Sequence, residues 1–107
     1  MTLQELFEAM PGRFNAAAAA GLNKTLQFHI TGEESGVWTI RIADSAAHLI
    51  QGAVENPDVT FTVDGQDWLA MEEGKLNAMN AFMAGKLKVA GDMGLAIKVP
   101  QLFPLGK

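Results

Sequence analysis

The stretch Ala81-Phe-Met-Ala-Gly-Lys-Leu-Lys-Val-Ala-Gly-Asp-Met-Gly-Leu-Ala-Ile-Lys-Val99 holds the end of a helix, a strand and the start of another helix. Met79, Phe82 and Met83 stand at i, i+3 and i+4 and share a helical face, which Gly85 stops. Leu87 and Val89 then alternate with Lys86 and Lys88, the period of a strand. Gly91-Asp92 turns the chain into a last helix beginning near Met93. On that helix only Gly94, Lys98 and Gln101 form a polar stripe. Met93, Leu95, Ala96, Ile97, Val99, Leu102 and Phe103 cover the rest, so it needs partners on more than one side. Pro100 is predicted to kink or end the helix and free the carbonyl of Ala96, leaving Gln101 to Leu105 as a mobile apolar flap. Two readings of this density of apolar side chains compete: an ordinary core, or a core built around something that is not protein.

Outward from this stretch, the period-two pattern recurs. Leu26, Phe28 and Ile30 alternate with Gln27, His29 and Thr31, and Trp38, Ile40 and Ile42 alternate with Thr39 and Arg41, which predicts a hairpin with one dry face. Ala46 to Ile50 reads as a weaker third strand. Asn56-Pro-Asp58 launches a fourth, with Val59, Phe61 and Val63 against Thr60 and Thr62. A sheet with one apolar face must bury it against another layer, and helices are available for that. Thr2 and Glu5 form a capping-box pattern before Leu3, Leu6, Phe7 and Met10, and Pro11-Gly12 ends that helix. A second short helix is expected through Ala16 to Ala20, up to Gly21. Asp64 caps a helix over Gly65 to Glu73 that carries Trp68 and Leu69, and Asn77 caps one through Ala84. No repeat, linker or domain boundary is visible, so residues 1–107 read as one domain.

A chain of 107 residues, 49% hydrophobic, can build a core without staples, so the lack of cysteine costs it nothing while removing thiol chemistry and thiolate metal sites. The net charge of −4 argues against a nucleic-acid partner. Residues 1–73 hold three basic against eleven acidic side chains, whereas residues 74–107 set Lys75, Lys86, Lys88, Lys98 and Lys107 against Asp92 alone. That basic island reads either as a solvated face or as a surface meeting an anionic headgroup or membrane. The opening Met1-Thr-Leu-Gln-Glu5 lacks a secretory pattern, Pro104-Leu-Gly-Lys107 is not a Ser-Lys-Leu address, and no apolar run approaches the ~20 residues of a span. A cytoplasmic location is the expectation.

Residues that do chemistry are sparse. His29 falls on the wet side of its strand. His48, with Asp44 and Ser45, makes a nominal Ser, His, Asp set without an oxyanion site. Glu33-Glu34 and Glu72-Glu73 fit a turn and a helix end. No ligand pair at metal-binding spacing and no phosphate-cradling glycine motif occurs. No catalytic residue, metal or cofactor is therefore expected.

The strings Asn56-Pro-Asp-Val-Thr-Phe-Thr-Val63, Trp68-Leu69, Glu73-Gly-Lys-Leu76 and above all Ala81 to Met93 resemble the sterol carrier protein 2 domain, the SCP-2 sterol-binding or nonspecific lipid-transfer family. Pro11-Gly-Arg-Phe-Asn15, Gly21-Leu22 leading into Leu26-Gln-Phe28, and Gly36-Val-Trp-Thr-Ile40 agree, so the likeness covers nearly the whole chain. It implies an α+β fold, a five-stranded sheet covered on one face by helices, with a hydrophobic tunnel between the layers. It further implies a non-catalytic carrier of fatty acid, fatty acyl-CoA, sterol or phospholipid. Pro100 and the short tail after Phe103 depart from the family pattern, as does the missing peroxisomal ending of some relatives.

Methionine fits a wall that accepts variable apolar shapes. The expected ligand-binding set is Trp38, Phe61, Met79, Phe82, Met83, Leu87, Met93, Ile97, Leu102 and Phe103. Lys86, Lys88 and Lys98 are candidates for a headgroup at the mouth. Expected partners are a lipid or fatty acyl ligand, a transient membrane surface and a second copy of the chain. The competing function is an interaction or dimerisation module using the apolar last helix.

Overall fold

The computed structural model describes residues 3–19, 21–32 and 35–103. Thr2, Glu33, Glu34 and residues 104–107, to which expectations attach above, lie outside them. The elements are α1 (Leu3–Ala9) running into a 3-10 turn (Met10–Arg13), β1 (Lys24–Thr31), β2 (Gly36–Ala43), β3 (Ala46–Gln51), β4 (Val59–Asp64), α2 (Gly65–Glu72), α3 (Ala78–Met83), β5 (Leu87–Gly91) and α4 (Met93–Leu102).

The alternating segments form one five-stranded sheet in the order β3-β2-β1-β4-β5. β1 and β2 pair antiparallel, with Leu26 opposite Ile40 and Phe28 opposite Trp38, which puts their apolar side chains on one face. Asp44 and Ser45 take φ of 53° and 60° between β2 and β3, the paired positive angles of a two-residue hairpin link. That turn accounts for Asp44 and Ser45, the nominal companions of His48. β4 pairs with β1 in parallel, so the chain must cross the sheet after β3. It crosses on the polar face: Thr39 Oγ1 donates to the carbonyl of Gly52 at 2.7 Å, and Val54 N–H donates to Gln27 Oε1 at 2.9 Å. This crossing buries Gln27 and Thr39 to 7% and 0% exposure, so the second face of the hairpin is drier at its centre than alternation implied.

Capping residues act where the sequence placed them. Asp64 Oδ1 accepts from Gln66 N–H at 2.9 Å, Asn77 Oδ1 from Met79 N–H at 2.8 Å, and Asp92 Oδ1 from Leu95 N–H at 3.1 Å. β5 is pinned by a close approach at its end, where Asp92 N–H donates to the carbonyl of Asp58 at 2.9 Å. Gly91, at φ +107°, would place a Cβ 2.5 Å from that same oxygen. Gly91→Ala should therefore lower stability by about 1–3 kcal/mol, seen as a fall in urea midpoint; an unchanged midpoint would contradict this packing.

Two expectations are corrected. The alanine tract forms successive turns, with Ala18 N–H to Asn15 O and Ala19 N–H to Ala16 O, rather than a helix. A segment this short cannot meet the cost of helix nucleation, and of its described residues only Ala19 is buried. Nor does Pro100 end the helix or free residues 101–103, the described part of the expected flap. The helix runs on to Leu102, Phe103 N–H donates to Val99 O at 2.9 Å, and Asn15 N–H donates to Leu102 O at 2.8 Å. Leu102 and Phe103 are 1% and 5% exposed, and burial at about 1.5–3 kcal/mol each offsets the ~3 kcal/mol of an interior proline.

Candidate functional site

The helices cover the apolar face unevenly. Over the β1–β2 half the packing is solid: the Phe7 ring of α1 lies between Trp38 at 4.6 Å and Trp68 at 5.4 Å, nearly parallel to both, and meets Phe28 at 5.3 Å. The 3-10 turn packs on β3. Over the β4–β5 half, α2, α3 and α4 line, together with the sheet, a half-open cavity of about 690 Å³. The cavity opens to solvent, and the chain's own side chains leave it unfilled.

The wall draws on six elements. Phe61 of β4 and Leu87 and Val89 of β5 come from the sheet, backed by Phe28 of β1. Trp68, Met71 and Glu72, one face of α2, form one side; Met79 and Phe82 of α3 and Met93, Ala96, Ile97 and Val99 of α4 form others, with Phe103 beyond α4. Exposure grades with depth. Phe61, Trp68 and Phe103 are 4%, 7% and 5% exposed, whereas Met79, Phe82, Met93 and Ile97 are 58%, 41%, 44% and 66% exposed and form the rim.

The carboxylate and the amide oxygen on this wall are already engaged. Glu72 is held bidentately by Arg13 of the 3-10 turn, at 2.8 and 3.2 Å, and the Asn77 side chain is spent capping α3. The Arg13 Nε and Trp68 Nε1 groups lack a hydrogen-bond partner and are sealed off from solvent by their neighbours. The surface offered to a guest is apolar and without free charge.

Of the ten side chains expected to bind, Phe61, Met79, Phe82, Leu87, Met93, Ile97 and Phe103 lie on this wall. Three do not. Trp38 is stacked on Phe7, and its Nε1–H donates to Gln4 Oε1 at 2.9 Å on the solid side of the sheet. Leu102 is buried away from the cavity. Met83 is 78% exposed and not on the wall.

The lysines are corrected as well. With Leu87 and Val89 facing the cavity, strand parity sends Lys86 and Lys88 to the opposite side. Lys98 lines a separate dent of about 190 Å³ with Lys24 and Asp92. Sequence reasoning missed Phe28, Trp68, Met71, Glu72, Leu76, Val89, Ala96 and Val99. Helical spacing from Trp68 and from Met93, and parity with Leu87, were the signals that could have found most of them.

Other candidate chemistry lies elsewhere. His48 is exposed on β3, opposite Arg41 and at the far edge of the sheet from β5. His29 Nε2 and Gln27 Nε2 are 2.9 Å apart on the polar face. Among the described residues no cluster of three or more potential ligands could hold a metal, and no helix is long and apolar enough to cross a membrane.

Comparison with known proteins bears on this architecture. Hydroxysteroid dehydrogenase-like protein 2 of Xenopus laevis is 37% identical over 102 residues, covering 94% of this chain and 24% of the relative. Peroxisomal multifunctional enzyme A of Dictyostelium discoideum is 32% identical, covering 92% of this chain and again 24% of the relative. The chain thus spans about a quarter of the length of these curated relatives. The solution structure of palmitated SCP2L2 from Aedes aegypti superposes with a TM-score of 0.76 at 26% identity, covering 97% of this chain and 96% of that one. The profile of the SCP-2 sterol transfer family matches residues 3–104. A five-stranded sheet with helices on its apolar face, near-complete coverage by the profile and the Aedes likeness agree: the chain belongs to the SCP-2 sterol transfer family.

Proposed function

We propose that residues 1–107 act as one non-catalytic carrier domain that holds a fatty acyl chain or a comparably apolar lipid in the cavity between β4–β5 and α2–α4. The observation that carries the reading is the size and dryness of that space. About 690 Å³ lies within the ~300–1,000 Å³ of small-molecule sites, and the Glu72 carboxylate and the Asn77 amide oxygen on its wall are committed to Arg13 and to the cap of α3. The palmitated state of the Aedes relative supports an acyl chain as the class of guest.

Each methylene leaving water contributes about 0.8 kcal/mol, so a ten-carbon tail brings roughly 8 kcal/mol before ordering costs. Discrimination between chain lengths should be weak, because an apolar wall registers a methylene poorly. Burying a carboxylate here would leave it without a free donor or cation, so the polar end stays at the mouth, in water. Membership in the family carries no compartment with it, since one relative is named as peroxisomal. The cytoplasmic placement belongs to this proposal alone.

Trp68 stands on the wall and Trp38 does not, which supplies the test. In a Trp38→Phe variant, delipidated and titrated with palmitate, the emission of Trp68 should change saturably in the micromolar range, and the same acid should displace a fluorescent analogue. Titration with no change in emission and no displacement would sink the carrier reading.

A further inference from the structure

Among the described residues of the cavity wall, Glu72 alone carries a charge. It follows Trp68 by four residues on α2, and with a side chain 8% exposed it belongs to the deep part of the wall rather than to the rim. Its carboxylate accepts from Arg13 Nη1–H at 2.8 Å and from Nη2–H at 3.2 Å, one bond to each oxygen. A carboxylate offers about four acceptor positions, so the Arg13 clasp leaves acceptor capacity on both oxygens.

As a fastening alone the pair is a poor choice. Charges largely withdrawn from water return their cost only when the remaining lone pairs also find donors, and apolar side chains of similar volume often hold such a position as well or better. A guest can supply the missing donor. A hydroxyl donating to a carboxylate forms a short, charge-assisted bond, stronger than one between neutral groups and stronger again in apolar surroundings. The carboxylate of a fatty acid cannot take that place, since it is an acceptor of the same charge. With that head kept in water at the mouth, the end of the chain that goes inward is the far one.

We infer that Glu72 selects lipids bearing a hydroxyl at the end remote from their charged group, the ω-hydroxy fatty acids, and accepts that hydroxyl beside the bonds from Arg13. Arg13 is the positioning residue, aiming the carboxylate and compensating its charge. This rests on the carrier reading and names a class of cargo within it.

The test is displacement of a fluorescent fatty acid from the whole chain by saturated acids of about 10 to 18 carbons, each compared with its ω-hydroxy and ω-methoxy counterparts. The series of lengths includes those that span from mouth to α2. On a purely apolar wall a terminal hydroxyl loses roughly tenfold or more, because nothing replaces its bonds to water. Here, at the length that reaches Glu72, the hydroxy acid should bind at least as tightly as its parent and about tenfold tighter than the methoxy acid, which has no proton to donate. Arg13→Leu/Glu72→Leu removes both charges together, and should hold the parent acid within about threefold of wild type while binding the hydroxy acid about tenfold more weakly.

The inference is overturned if, at every length, the hydroxy acid trails its parent in the wild type as far as the methoxy acid does. It is equally overturned if the double variant keeps the wild-type ranking, for then the pair only fastens the 3-10 turn to α2. Should the double variant not fold, the ranking of hydroxy against methoxy acids by the wild type decides alone. Parent acids that fail to displace the probe would instead remove the carrier reading, and this inference with it.

Discussion

Ala96→Trp is expected to reduce affinity for a fluorescent fatty acid by about 100-fold, equivalent to excluding three or four methylenes at ~0.8 kcal/mol each, while leaving the fold intact. Ala96 is a half-buried residue of α4 whose side chain stands on the cavity wall between Met93 and Ile97. An indole there projects into about 690 Å³ of unfilled space, so it meets room rather than a neighbouring core side chain. Filling a void regains packing contacts, and the melting temperature should hold or rise. Wild type, by contrast, should gain thermal stability when fatty acid is added, because a guest that binds only the folded state shifts the unfolding equilibrium. The variant should not. If Ala96→Trp binds as wild type does, the guest sits somewhere other than this cavity.

Phe7→Ala should have the opposite profile, a loss of about 3–5 kcal/mol of stability read from the urea midpoint. Phe7 is 0% exposed and its ring contacts Trp38, Trp68 and Phe28 at once. Removing it opens a void beneath α1 and deprives two stacked indoles of their partner. Against the 5–15 kcal/mol typical of a whole domain, that loss is large enough to leave a substantial unfolded population. A cost below about 1 kcal/mol would show that the aromatic stack is not what fastens α1 to the sheet. The two variants together separate the filled half of the layer interface from the empty half.

Much of this architecture is legible in the chain. The alternation around Phe28, Trp38, Phe61 and Val89 assigns the strands and their apolar face, because side chains on a strand have no choice but to alternate. Asp64, Asn77 and Asp92 announce their helices, since a short side chain accepting from a free N–H is a local event. What alternation leaves open is position across the sheet. Trp38 and Phe61 share a face, yet β2 lies under α1 and β4 lies under the cavity, and that depends on the parallel β1–β4 pairing between segments remote in sequence. Parity by itself sets Lys86 and Lys88 apart from the apolar wall; their candidacy rests on charge alone. Pro100 misleads for a different reason: local propensity argues for a break, while tertiary burial of Leu102 and Phe103 carries the helix through.

The clasp between the 3-10 turn region and the end of α4, made by Asn15 N–H to Leu102 O and by the Phe14 and Phe103 rings 5.5 Å apart, bears on how a bound molecule would leave. With α4 fastened at that end, the yielding side of the mouth is α3, six residues whose described side chains include one buried member, Ala81, and which is flanked by Gly74 and Gly85, both at φ +79°. On the carrier reading, residence time would be governed by how often this single short helix lifts, so turnover of cargo would be decoupled from the global stability of the fold.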